Sequence, residues 1–140
     1  MDPNIWGPHA WQFLHSITLS YPDNPTEQDK QNHIQFFDML KNILPCDKCK
    51  NHYEQTLETY PIENNLEDKE SLFRWLVDVH NKVNIDNNKK EYSYDEVAEL
   101  YEKIYSKSDK GILIDNKWLI IFIILVICLI IYYIRKYKMV

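Results

Sequence analysis

From Trp118 to Ile134 the chain runs 17 residues without a charge, nearly all aliphatic or aromatic, and a soluble domain this small could not enclose such a segment. A bilayer's hydrocarbon core takes about 20 apolar residues as a helix. The run sits at the short end of that range. Ile112-Leu113-Ile114 precede it, and Trp118 at one edge and Tyr132, Tyr133 and Tyr137 at the other read as interfacial anchors. The expectation is a single-pass transmembrane anchor over 115–137, a linker at 107–114 and a short tail at 138–140. Cys128, inside the span, reads as a small apolar residue. Residues 1–106 must then form the working domain.

Met1-Asp2-Pro3-Asn4-Ile5-Trp6 has neither the basic start nor the hydrophobic run of a leader, so the expected topology is tail-anchored with the N-terminal domain facing the cytosol. Arg135, Lys136 and Lys138 behind the span are offset by Lys107, Lys110 and Lys117 before it, so charge sets no orientation. The net charge of −5, with both signs interspersed, offers no basic stripe for a phosphate backbone, and nucleic acid is not an expected partner.

Only two glycines and 14% aromatic residues point to a helical core. The first helix is read from about Pro8 to Ser20, where Trp11, Leu14, His15, Ile17 and Thr18 make one broad face, and Tyr21-Pro22 ends it. Thr26 with Asp29 resembles a capped start for a second, with Ile34, Phe37, Leu40 and Ile43 or Leu44 as its apolar stripe down to Pro45. A third runs from Cys46 to about Thr59. The fourth, roughly Glu67 to Asn84, carries Leu72, Trp75, Leu76, Val79, His80 and Val83 on its apolar face. Ser93-Tyr94-Asp95-Glu96 has capping-box spacing and opens a short fifth helix through Val97, Leu100, Tyr101 and Ile104. Together these predict an all-α four-helix bundle with a fifth helix, followed by the membrane helix.

The chemistry concentrates at Leu44-Pro45-Cys46-Asp47-Lys48-Cys49. Pro45 suits the start of a helix, so the two thiols fall in its first turn, on one face, where the positive end of the helix dipole favours a thiolate at Cys46. Such a pair suits thiol–disulfide exchange. It equally suits half of a zinc site that His52 and His80 would complete, in a membrane-anchored zinc-binding adaptor. The remaining cysteine, Cys128, lies in the apolar run, so no four-thiolate site exists in these 140 residues. Around the pair, Trp11, His15, His52, His80 and Asn84 supply the flat rings and amide groups that a flavin or nucleotide needs.

Four stretches taken together carry a family resemblance: Trp6-Gly7-x-x-x-Trp11-x-x-Leu14-His15, Tyr21-Pro22, Leu44-Pro45-Cys46-x-x-Cys49-x-x-His52-Tyr53, and Trp75-Leu76-x-x-x-His80-Asn81-x-Val83-Asn84. In order and spacing, over about residues 6 to 105, the chain resembles the Erv/ALR FAD-linked sulfhydryl oxidases, and most of all the short viral members of large cytoplasmic DNA viruses. The resemblance implies FAD held at the mouth of the bundle, homodimeric pairing and dioxygen as terminal acceptor, giving hydrogen peroxide. It implies Cys46 as the interchange thiol and Cys49 as the flavin-facing one. Gly7, Trp11, His15, His52, His80, Asn81, Val83 and Asn84 fall on its cofactor-binding positions, with Lys89, Tyr92 and Tyr101 added by counting beyond Asn84. No metal site is implied. Cellular members carry a further cysteine pair as a shuttle and a structural disulfide near the cofactor, and both are missing here. A client, or a small relay protein with a cysteine pair, would therefore meet Cys46 directly. In a thiol-reducing cytosol such an oxidase fits a viral route to disulfides, in a cellular or virion membrane.

Overall fold

The computed structural model describes the backbone of residues 1–112 and 116–138, and the side chains of 1–106 and 119–137. The described residues are helical, in the order α1 (Pro3–Leu19), α2 (Glu27–Ile43), α3 (Asp47–Thr59), a 3-10 turn (Ile62–Asn65), α4 (Lys69–Asp86), α5 (Tyr94–Ile112) and α6 (Asn116–Lys138). They fall into two units, Met1–Val97 and Ala98–Val140.

In the first unit α1 packs on α4 and α2 on α3, while the 3-10 turn and α3 also touch α4. Phe37, Leu72, Leu76 and Val79 lose all exposure at the centre, beside Trp75 and Tyr53. Phe37 meets Trp75 edge-on with ring centroids 4.9 Å apart. The polar ends of these buried rings are satisfied by backbone: Trp75 Nε1–H donates to Tyr60 O at 2.8 Å, Tyr53 OH to Phe37 O at 3.1 Å and Tyr21 OH to Leu66 O at 3.1 Å. Each bond ties one element of the bundle to another.

Local sequence sets the helix ends. Thr26 and Asp29 form a reciprocal capping box on α2, and Ser93 and Glu96 exchange the same pair of bonds at α5. Asp68 caps α4 through Ser71 N–H. Two boundaries differ from the sequence reading by several residues. α1 begins five residues before Pro8, because Asp2 caps it and Pro3 fits its first turn. Pro8 is carried inside the helix, preceded by Gly7, whose missing Cβ eases the clash that a proline imposes on the residue before it. α5 continues through Ser106 to Ile112, where no proline stops it and Gly111 costs only about 1 kcal/mol. The segment read as a linker is thus helical up to Ile112, while its remainder at 113–114 lies outside the described residues.

In the second unit α6 contains a 19-residue segment, Leu119–Tyr137, long and apolar enough to cross a membrane by length and composition. Every side chain in that segment is exposed, Cys128 included. Tyr132, Tyr133 and Tyr137 cluster through ring contacts at its C-terminal end. The anchoring read for Trp118, Lys107, Lys110 and Lys117 lies outside the described side chains.

Candidate active site

The two thiols of the Cys-x-x-Cys stretch are joined as a Cys46–Cys49 disulfide, with Cα atoms 5.1 Å apart. Cys46 is the N-cap of α3, so the helix begins at Asp47, one position later than the start read from sequence, and the Cys46 sulfur faces the Cys49 N–H at 3.2 Å. Pro45 produces this arrangement: with no N–H to continue α2, it turns the chain and lets α3 begin afresh. A sulfur at this place receives the unpaired N–H groups of a helix start, which stabilise negative charge when the bond opens. Both cysteines are half-buried, whereas Pro45, Asp47 and Lys48 beside Cys46 are exposed.

α3 then presents His52 one turn after Cys49. The His52 Nε2 bonds the Asp86 carboxylate at the end of α4, joining positions 34 apart in sequence. Lys82 Nζ reaches the same carboxylate at 2.5 and 2.6 Å. These bonds, that from Lys82 first and that from His52 second, hold the Asp86 carboxyl below the usual carboxylate range. An open cleft of about 370 Å³ lies here, lined by Lys48, Asn51, His52, Gln55, Asp86 and Asn87. Lys48, between the two cysteines, connects the cleft to the disulfide. Of its lining residues only His52 stands out in the sequence. The others are polar side chains without a motif, and only the tertiary approach of α4 to α3 marks them.

A second group gathers between α1 and α4. Trp11 stacks on His80 with centroids 3.9 Å apart and planes 9° from parallel. His15 Nε2 lies 3.3 Å from His80 Nδ1. Burial, reinforced by the neighbouring His80, pushes the His15 imidazolium down to about 3. Burial and then Lys89 push that of His80 down to about 4. Both rings are therefore neutral near pH 7, a flat uncharged cluster. Asn84, one turn beyond His80, is buried, and Val83 half-buried.

The loop after α4 folds back onto this helix. Lys89 N–H donates to Asn84 O at 2.8 Å, and Asn88 takes a left-handed φ of 53°, which asparagine tolerates. The Asn81 amide is committed to that loop, donating to Tyr92 O at 2.8 Å and accepting Tyr92 N–H at 3.0 Å. Tyr92 itself is exposed, with Lys90 over its ring. A Cβ added at Gly7 would meet nothing within 4 Å, so packing does not demand a glycine there. Tyr101 belongs to the second unit, on α5.

The structure thus brings Trp11, His15 and His80 together, with Asn84 one turn further along α4, and separately sets His52 on the same helix as the disulfide. Among the described residues no group of three or more His, Cys, Asp or Glu side chains is placed to hold a metal. Residues 8–102 match the Erv1 / Alr family. The chain belongs to the Erv1 / Alr family. Erv1 / Alr relatives include a probable FAD-linked sulfhydryl oxidase of Acanthamoeba polyphaga mimivirus, 40% identical over 112 residues, covering 79% of this chain and 78% of the relative. An African swine fever virus FAD-linked sulfhydryl oxidase is 32% identical over 74% of this chain and 85% of its own length. The mitochondrial FAD-linked sulfhydryl oxidase ERV1 of Saccharomyces cerevisiae is 38% identical over 59% of this chain and only 43% of its own length. The crystal structure of the FAD-binding domain of that yeast Erv1 superposes with a TM-score of 0.64 at 34% identity, covering 68% of this chain and 89% of that one. The Erv1 / Alr match covers most of α1, all of α2, α3 and α4, and the redox pair.

Its residues are chemically suited to a flavin nucleotide. Trp11 and His80 present flat, neutral rings, and Asn51, Gln55 and Asn87 bring amide groups to the cleft. Trp6 Nε1–H is buried with no hydrogen-bond partner among the described residues, a donor open to a ligand acceptor. In the sequence Trp6 is part of a motif, and nothing there shows its indole nitrogen to be enclosed.

Proposed function

We propose that this chain is an FAD-dependent sulfhydryl oxidase that forms disulfides in client proteins. The observation that carries the reading is the Cys46–Cys49 bond at the start of α3, inside the segment that matches the family. Bound FAD would accept the electron pair of the reduced cysteines and deliver it to dioxygen, giving hydrogen peroxide.

The chain's own part begins with exchange. A client thiolate attacks the Cys46 sulfur, the Cys46–Cys49 bond breaks, and its electron pair stays on Cys49. A second client thiol then displaces Cys46, leaving the client oxidised and both enzyme cysteines reduced. Exposed Pro45, Asp47 and Lys48 support Cys46 as the point of entry. Trp11, His15, His80, Val83, Asn84 and Lys89 would hold the cofactor from α1, α4 and the loop after it, and His52 would do so from α3. Asn81 would act by fixing the Tyr92 segment.

Residues 1–106 form the catalytic part in this reading, and 115–137 a single-pass anchor that leaves it facing the cytosol, in a cellular or virion membrane. The viral relatives support the latter setting. Pairing of two copies is supported by the family and by Phe13, Met39 and Ile43, large apolar side chains left exposed on α1 and α2.

The test uses the full chain purified in detergent. The reading expects a yellow protein whose flavin absorbance bleaches with dithiol without oxygen and returns in air with release of peroxide. Cys49→Ser should keep the colour and stop the bleaching. A protein that takes up no FAD overturns the reading, and bleaching that survives Cys49→Ser overturns the role given to that sulfur.

A further inference from the structure

Asp86 is the last residue of α4, yet its carboxylate is turned to the redox helix. It binds His52 across 34 positions of sequence and Lys82 within its own helix. The family motifs quoted above do not include it. Asp86 and His52 both line the cleft beside Lys48. Cys49 and His52 stand three apart on α3, the spacing at which helical side chains are neighbours.

Resting on the oxidase reading, we infer that Asp86 is a positioning residue for thiol–disulfide exchange, fixing His52 through Nε2 so that Nδ1 is the ring nitrogen available to the Cys49 sulfur. The arrangement is one in which a carboxylate orients an imidazole beside a reacting sulfur. The proton and electrons balance without any further reactant. The client thiol gives its proton to His52, and the resulting thiolate bonds to Cys46. The Cys46–Cys49 bond breaks, and the pair left on Cys49 faces the protonated ring. The charged groups around the ring are Lys48 from α3 and Asp86 and Lys82 from α4. Asp86 supplies the sole negative charge among them.

Loss of Asp86 would release the His52 ring from its place on the redox helix, and this should raise the energy of the Cys49 thiolate and favour the disulfide by more than removal of the carboxylate's own charge lowers it. The measurement is the equilibrium of the Cys46–Cys49 pair with glutathione, without oxygen, on the full chain in detergent, read by alkylation and mass. Asp86→Asn should raise the constant for disulfide formation by roughly three- to tenfold, and His52→Gln by a similar factor. The double variant should go no further than His52→Gln alone, because Asp86 acts through that ring. Asp86→Glu should return the constant to within about twofold of the parent. An Asp86→Asn constant equal to the parent's, even with lowered thermal stability, would reduce Asp86 to a tether between helices and overturn the inference. So would shifts that add in the double variant. The equilibrium is read on the cysteines whether or not flavin is bound, so failure of the oxidase reading, seen as absent flavin uptake, is separately visible.

Discussion

Acidification should unlock the His15–His80 cluster before it touches the rest of the fold. Both rings are neutral in the folded chain, with His15 pushed down to about 3 and His80 to about 4 by burial. The unfolded chain protonates them near pH 6.5. Stability is therefore whole above that value and falls as pH drops toward 3 to 4, because the unfolded state binds the protons that the folded state refuses. At about pH 4.5 each histidine alone accounts for about 2.5 kcal/mol of loss. Since the two share one contact, the combined loss lies between about 2.5 and 5 kcal/mol. Asp29, Asp68, Asp86 and Glu96 have carboxyls held below their usual range, and their contributions fade only as pH falls further. The interval from about pH 6.5 to 4.5 thus isolates the histidines. For a unit of this size the loss corresponds to a drop in Tm of at least about 10 °C. Thermal unfolding of the full chain in detergent, followed by circular dichroism at several pH values, measures it. The comparison is His15→Gln/His80→Gln, which keeps polar groups but cannot titrate, and its Tm should stay nearly flat over the same interval. Parallel curves for parent and variant would refute the assignment of acid sensitivity to these two rings.

Two further outcomes follow from single contacts. Asn81→Ala removes both side-chain bonds to the Tyr92 backbone, at about 1–3 kcal/mol together. Hydrogen exchange of the Tyr92 amide should quicken by about tenfold or more, while amides in the α2–α3 pair keep their rates. Leu125→Arg puts a charge at the middle of α6, costing about 2.5–3.5 kcal/mol of insertion. The variant should leave the membrane fraction for the soluble one, and unchanged membrane recovery would show that α6 is not the anchor.

The bundle was legible because local rules and tertiary packing agree. The capping boxes at Thr26 and Ser93 and the break at Pro45 are short-range chemistry, and the faces through Phe37 and Trp75 are helical periodicity, so each element could be placed within a few residues. The early start of α1 was hidden by Pro8, which normally ends or opens a helix and here does neither. In the site, Cys46 and Cys49 announce themselves by spacing, and Trp11, His15 and His80 by family pattern. Asp86 and the cleft around it do not, since nothing in Ile85-Asp86-Asn87-Asn88 distinguishes a solvated helix end from a partner for His52. The enclosed Trp6 indole is equally silent, because burial of a single nitrogen is decided by neighbours distant in sequence.

Hydrogen bonds hold the loop after α4 in this chain, where the family resemblance implies a structural disulfide in cellular members. The third cysteine, Cys128, lies on α6, and the bonds that hold the residues following His80 and Asn84 include two from the Asn81 amide to Tyr92 and one from Lys89 N–H to Asn84 O. At about 0.5–1.5 kcal/mol each they contribute about 1.5–4.5 kcal/mol. A disulfide closing a loop of about 15 residues contributes about 3 kcal/mol. The two devices are comparable in size but differ in what they depend on. A covalent bridge would have to be made by an oxidant before the cofactor edge became rigid. Hydrogen bonds form on folding alone, so this segment would be held even in a compartment where thiols are kept reduced, with no oxidant needed first.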